Sequence, residues 1–128
     1  MRKSVENLFG RKFTGGKIIP ARRRRKYEID RYPSEPVVGK SATVQRRVRG
    51  GNKKISFKKV EFANVSDPVE KKTSKVKIIK VVKNPANKDY ERRGVLSKGA
   101  IIDSELGQAR IVSRPSQDGI INAILIKR

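Results

Sequence analysis

The stretch that decides the fold is GAIIDSELGQARIVSRPSQDGIINAILI, residues 99–126. Three short runs rich in isoleucine, valine and alanine lie in it: Gly99 to Ser104, Gln108 to Ser113 and Ile120 to Ile126. Leu106-Gly107 joins the first two, and Ser116-Gln117-Asp118-Gly119 joins the last two. β-Branched residues suit a pleated, half-buried surface, and Gly or Asp-Gly supplies the backbone freedom a tight reversal needs. The stretch therefore reads as a three-stranded meander. Its last run is the most apolar and is expected to be the most buried strand.

Upstream, Val76 to Val82 reads as another strand, and Asn84-Pro85-Ala86-Asn87 is turn chemistry that can open one short helix through Arg93. Val44 to Arg49 and the run from Ile55 flank Gly50-Gly51-Asn52, the residue types that a hairpin turn with positive φ requires. Ile55 and Phe57 share one face, while Val60 and Phe62 continue one residue out of phase, which predicts a β-bulge near Lys58-Lys59. Phe57 and Phe62 are expected in the core. Short strands with regular turn signals point to a mainly β protein, a small β-barrel or a sandwich. Residues 1–40 lack a sustained period and are broken by Gly15-Gly16, Pro20, Pro33, Pro36 and Gly39. The organisation expected is a basic, extended N-terminal arm over 1–40, a β-barrel over 41–128, and at most one short helix.

The charge is extreme. Lys and Arg number 33 against 12 acidic residues among 128, a formal net charge of +21. A magnitude of about 2–8 keeps a small domain soluble, so the excess destabilises the free chain by self-repulsion and calls for a polyanion. Residues 1–54 hold 17 of the basic and 4 of the acidic residues, so the arm and the hairpin are the most cationic part. Hydrophobic residues are 35% of the chain, below the roughly 45–50% of average globular domains, so the core must be small.

Cysteine and histidine are both absent. That excludes disulfides and the commonest metal ligands, and it removes the usual general base and the thiolate nucleophile. Asp103 and Glu105 fit a solvated strand face better than a catalytic pair. Gly39-Lys40-Ser41 resembles the end of a phosphate loop, but Ser34 stands where that loop needs glycine. No enzyme, cofactor, metal or small-molecule substrate is expected. Met1 to Asn7 lack the apolar run of a signal peptide, and the longest aliphatic stretch is Ala123-Ile124-Leu125-Ile126, so a cytoplasmic, non-membrane protein is expected.

Candidate RNA-binding residues form three groups. The first is Arg22, Arg23, Arg24, Arg25 and Lys26, preceded by Arg11, Lys12 and Lys17. Contiguous cations have no packing rationale, and guanidinium forks match phosphate oxygens and stack on bases. A nuclear-localisation tract or a merely solvated run is the competing reading. The second is Arg46, Arg47, Arg49, Lys53 and Lys54 around the Gly50-Gly51 turn, where a hairpin presents both arms' cations together. Charge that protects an edge strand from aggregation is the alternative there. The third is Arg92, Arg93 and Lys98 in the loop before the meander, where ordinary solvated charge competes. Tyr27 and Tyr32 flank the arginine tract and can stack on bases. No paired sheet aromatics of the kind that read RNA sequence are recognisable, so binding is expected to rest on phosphates and shape.

Blocks along nearly the whole chain resemble the archaeal and eukaryotic family of small-subunit ribosomal protein eight, the eight-e type. They are Arg11-Lys12-Phe13-Thr14-Gly15-Gly16-Lys17, Arg23-Arg24-Arg25-Lys26-Tyr27-Glu28, Val48-Arg49-Gly50-Gly51-Asn52, Ala63-Asn64-Val65, Asn84-Pro85-Ala86-Asn87 through Arg92-Arg93, Lys98-Gly99-Ala100-Ile101-Ile102, and Ser113-Arg114-Pro115-Ser116-Gln117-Asp118-Gly119. Gly94, Ser116 and Asp30 depart from the family's usual residues. The chain lacks the long central insertion of eukaryotic members and so resembles the short archaeal form. The resemblance implies a β-barrel with a basic extension, docked on small-subunit ribosomal RNA beside neighbouring ribosomal proteins in the cytoplasm. It adds Arg114 to the candidates. An assembly factor sharing the domain, and an architectural DNA-binding protein, are the alternatives.

Overall fold

The computed structural model describes residues 10–19, 22, 25, 27 and 33–126. The chain divides into two compact units, Met1–Pro33 and Ser34–Arg128. In the second unit β1 (Val37–Val38), β2 (Ala42–Arg47) and β3 (Lys53–Val60) form a three-stranded sheet in the order β1-β3-β2, with β1 parallel to β3. Strands β4 (Phe62–Asp67), β5 (Lys72–Lys83), β6 (Ile101–Ser104), β7 (Gly107–Ile111) and β8 (Asn122–Leu125) close into a barrel. Neighbours are antiparallel except at the seam, where β8 runs parallel to β4. Asn64 Nδ2 donates to Asn122 Oδ1 across that seam at 3.1 Å.

Alternation along each strand fills the barrel. Ala63 and Val65, Val76 and Ile78, Ile102, Ala109 and Ile111, and Ile121 and Ala123 are each at most 5% exposed. Alanine recurs because a closed barrel this narrow leaves little volume per inward position. Strand β5 is long enough to wrap the barrel because it carries two register shifts against β6. Each shift adds a residue, Ile79 and then Val82, and resets which side chains point inward. Those two residues are consequently exposed.

The mainly β barrel agrees with the sequence expectation, and so does the bulge. Ala42 pairs with Lys59 but Thr43 pairs with Phe57, which leaves Lys58 as the extra residue. Several finer expectations are corrected. Besides α1 (Lys88–Arg92), a second helical turn, α2 (Pro115–Asp118), stands where a simple turn was expected. Pro115 begins that turn with φ preset, the Asp118 carboxylate accepts the Arg114 N–H at 2.9 Å, and Gly119 ends it in the left-handed region. Residues 34–40 lie in the second unit, where Pro36 is buried. The last strand is not the most buried, because Ile120, Ile124 and Ile126 point outward and only Ile121 and Ala123 are sealed. Phe57 is half-buried against the core as expected, but Phe62 lies on the outer face of the barrel.

Helix α2 packs on β3, and Gly119, at its end, lies against the backbone of Ile55. Its φ is +67°, and a Cβ there would sit 3.0 Å from the Ile55 carbonyl oxygen, a backbone atom that cannot swing aside. Gly94 has a similar φ of +64° but faces open space. Gly94→Ala is expected to cost about 1 kcal/mol, the ordinary left-handed penalty, and Gly119→Ala about 2 kcal/mol, roughly 10 °C in melting temperature. Equal losses in parallel thermal melts would show that the contact with Ile55 carries no strain.

Candidate nucleic-acid interface

The β2–β3 hairpin builds the densest cationic feature of the described residues. Arg46 lies in register opposite Lys54, and Arg47 opposite Lys53. A single 3-10 turn, Arg49–Gly51, joins the strands, with Gly50 and Gly51 at φ +75° and +78°. The Val48 N–H donates to the Asn52 carbonyl at 2.7 Å and locks the base of the turn. Only glycine tolerates two consecutive left-handed residues cheaply, which is why the sequence reading of this turn succeeded. Like charges directly opposite on a sheet destabilise it, so four cations in register work against the free fold. Arg49, Lys53 and Lys54 are exposed.

The second group lies at one end of the barrel. Strands β4, β6 and β8 run one way and β5 and β7 the other, so the 84–100 and 112–121 connections emerge at the end where β3 passes into β4. This brings Arg92, Arg93, Lys98 and Arg114 to the same end as the three-stranded sheet. The opposite end carries the short 68–71 and 105–106 turns.

Buried Asn84 shapes the 84–100 connection. Its Nδ2 donates to the Val95 carbonyl at 3.0 Å. Its Oδ1 accepts from Ser97 Oγ at 3.0 Å and from the Ala86 N–H at 3.2 Å. Asn87 caps α1 by accepting the Asp89 N–H. Lys98 follows the anchored Ser97 and is exposed.

Arg92 and Arg93 divide into different roles. Arg93 reaches Glu35 at 2.6 Å and Asp89 at 2.9 Å and lies 5.5 Å from the centre of the Tyr90 ring. Its pKa is raised, first by the hydrogen bond to Glu35, against desolvation and with the further help of the Asp89 carboxylate. With both sides of its guanidinium engaged, Arg93 fastens the segment before β1 to α1. Arg92 touches Asp89 at 3.0 Å, and its side chain stays 82% exposed.

In the first unit, Arg11 and Lys17 face each other in an antiparallel bridge, and Lys12 lies in the turn between them. Arg22 and Arg25 are exposed. Arg23, Arg24, Lys26 and Tyr32 lie outside the described residues, and Tyr27 is exposed.

The sequence reading missed a row of exposed lysines on β5, comprising Lys75, Lys77, Lys80 and Lys83. Lys75 stands 4.9 Å over the Phe62 ring, and Lys77 pairs with Glu61 at 3.5 Å. The lysines alternating about Val76 were the available signal. Beyond Ile78 the two bulges erase the alternation. Among the described residues no group of carboxylates is placed to hold a metal ion, and no helix is long and apolar enough to cross a membrane.

A model of one known family, described as ribosomal protein S8e, matches residues 6–126. A small ribosomal subunit protein eS8 from Methanocorpusculum labreanum is 50% identical over 91% of this chain and 94% of its own length. The protein of that name from Sulfurisphaera tokodaii is 50% identical over 91% of this chain and 92% of its own length. The one from Nanoarchaeum equitans is 48% identical, covering 88% and 89%.

Proposed function

Because the chain belongs to the ribosomal protein S8e family, we propose that it is a structural constituent of the small ribosomal subunit that binds ribosomal RNA through phosphate and shape contacts and stabilises the RNA fold. The observation that carries this reading is the register of the hairpin, in which Arg46 opposes Lys54 and Arg47 opposes Lys53. Such pairing lowers the stability of the free protein, and a phosphate backbone turns the same repulsion into attraction. The glycine tip adds close backbone access, which lets peptide N–H groups as well as side chains meet phosphate oxygens.

In this reading the hairpin, Arg92, Lys98 and Arg114 meet the RNA backbone from one end of the barrel, and the β5 lysines extend the contact along its wall. Arg93 acts indirectly by fixing the loop through Glu35 and Asp89. The basic arm, Arg11 to Lys26, runs between RNA helices and meets their phosphates. The protein works in the cytoplasm, within the ribosome, beside neighbouring small-subunit proteins, and needs neither a cofactor nor a small-molecule substrate.

Gradient sedimentation of the tagged chain from its native cells tests the proposal. Stoichiometric presence in mature small subunits after a moderate salt wash is the expected result. Presence only in immature particles would make it an assembly factor, and absence from ribosomal fractions would overturn the proposal.

A further inference from the structure

The first unit holds a small preformed turn whose tip the phosphate reading leaves unused. The Lys12 N–H donates to the Gly16 carbonyl at 2.8 Å, the Gly15 N–H to the Lys12 carbonyl at 2.9 Å, and the Ile18 N–H to the Gly10 carbonyl at 3.0 Å. Arg11 Nη1 clasps the Gly15 carbonyl at 2.9 Å. Gly15 takes the left-handed conformation at φ +81° that closes the turn. The tip carries Phe13, which is fully exposed at 107%. Residues 10–19 include Arg11, Lys12 and Lys17 and no acidic residue.

We infer that Phe13 is a base-stacking residue, held out by the hydrogen-bonded turn so that an unpaired RNA base lies on its ring while Arg11, Lys12 and Lys17 engage the flanking phosphates. This rests on the RNA-binding reading above and adds a contact of a different chemistry to it. Three observations converge on the assignment. The aromatic ring makes no packing contribution to its own turn, so its exposure is not a by-product of folding. The turn's four hydrogen bonds fix the backbone before binding, which lowers the ordering cost of presenting the ring. The surrounding charge is uniformly positive, which complements nucleic acid and disfavours a basic protein neighbour. An unpaired base offers a π face of any sequence, so the contact favours loops and bulges over continuous duplex.

The chain contains no tryptophan, so Phe13→Trp installs a single indole fluorophore at the tip. The full-length variant is titrated with small-subunit ribosomal RNA transcribed in vitro, and in parallel with a fully paired RNA duplex. Strong quenching by the ribosomal RNA and little by the duplex is the expected result. Phe13→Ala should weaken binding to the ribosomal RNA about tenfold, Phe13→Tyr should retain it, and the salt slope should not change because no phosphate contact is lost. Salt-dependent binding with unquenched indole emission from Phe13→Trp and full affinity for Phe13→Ala would overturn the inference and leave the phosphate reading standing. Absence of salt-dependent binding would overturn both. Emission that is blue-shifted without quenching, seen only in assembled subunits, would put the ring in an apolar pocket of a neighbouring protein and also overturn it.

Discussion

Between about 50 and 200 mM salt, affinity for ribosomal RNA should fall about 10³–10⁵-fold, as expected for ~6–10 phosphate contacts that release counterions. The hairpin should supply a large share of these. Replacing Arg49 with Gln and Lys53 and Lys54 with Thr should weaken binding about a hundredfold at low salt and reduce the logarithmic salt slope by about 2–3. The same triple variant should be slightly more stable when free. It removes the Arg46–Lys54 and Arg47–Lys53 repulsions, each worth about 0.2–1 kcal/mol, and threonine suits a strand. Weaker binding with higher stability is the signature of residues placed for a partner. A variant that loses affinity and stability together would mark the lysines as structural, and a salt response that is flat in the parent protein would remove the phosphate account altogether.

Asn84→Ala should lower stability by about 2–4 kcal/mol. The side chain is 2% exposed and joins three backbone or hydroxyl groups of its loop. Alanine leaves the Val95 carbonyl without its Asn84 donor in a buried position, and it frees Ser97 and Ala86 from a common acceptor. An unsatisfied buried group costs more than its hydrogen bond contributed, because its hydration is not recovered. Loss of the anchor also loosens the backbone that carries Lys98 and the segment reaching Arg92. RNA affinity should therefore drop modestly even where the protein remains folded. Chemical denaturation measures the first effect, and amide exchange across residues 84–99 the second. A stability change below about 0.5 kcal/mol would mean that water replaces the amide fully.

Much of this protein is legible without coordinates, and what is legible is local. Gly50-Gly51 can be read as a hairpin because positive φ at two adjacent positions selects glycine. The shift of apolar phase between Phe57 and Val60 exposed the bulge at Lys58, since one extra residue moves every later side chain to the other face. The basic blocks call for a polyanion because charge needs no neighbour to be recognised.

Tertiary structure alone decided the rest. The parallel β4–β8 seam that closes the barrel joins segments 58 residues apart, and a strand's alternation says nothing about which strand will pair with it. Phe62 faces outward and Ile124 is half exposed because facing depends on phase, which bulges and closure reset, and not on hydrophobicity. Arg93 read as one more loop cation, yet Glu35 lies 58 residues earlier in the chain and is brought beside it where Val37 bridges Val95. The sequence by itself determined the strand-rich class, the hairpin and the large positive charge, all properties of neighbouring residues. Which cations stay exposed and which are held in ion pairs was decided by contacts between distant segments, because only tertiary pairing brings a given carboxylate within reach of a given guanidinium.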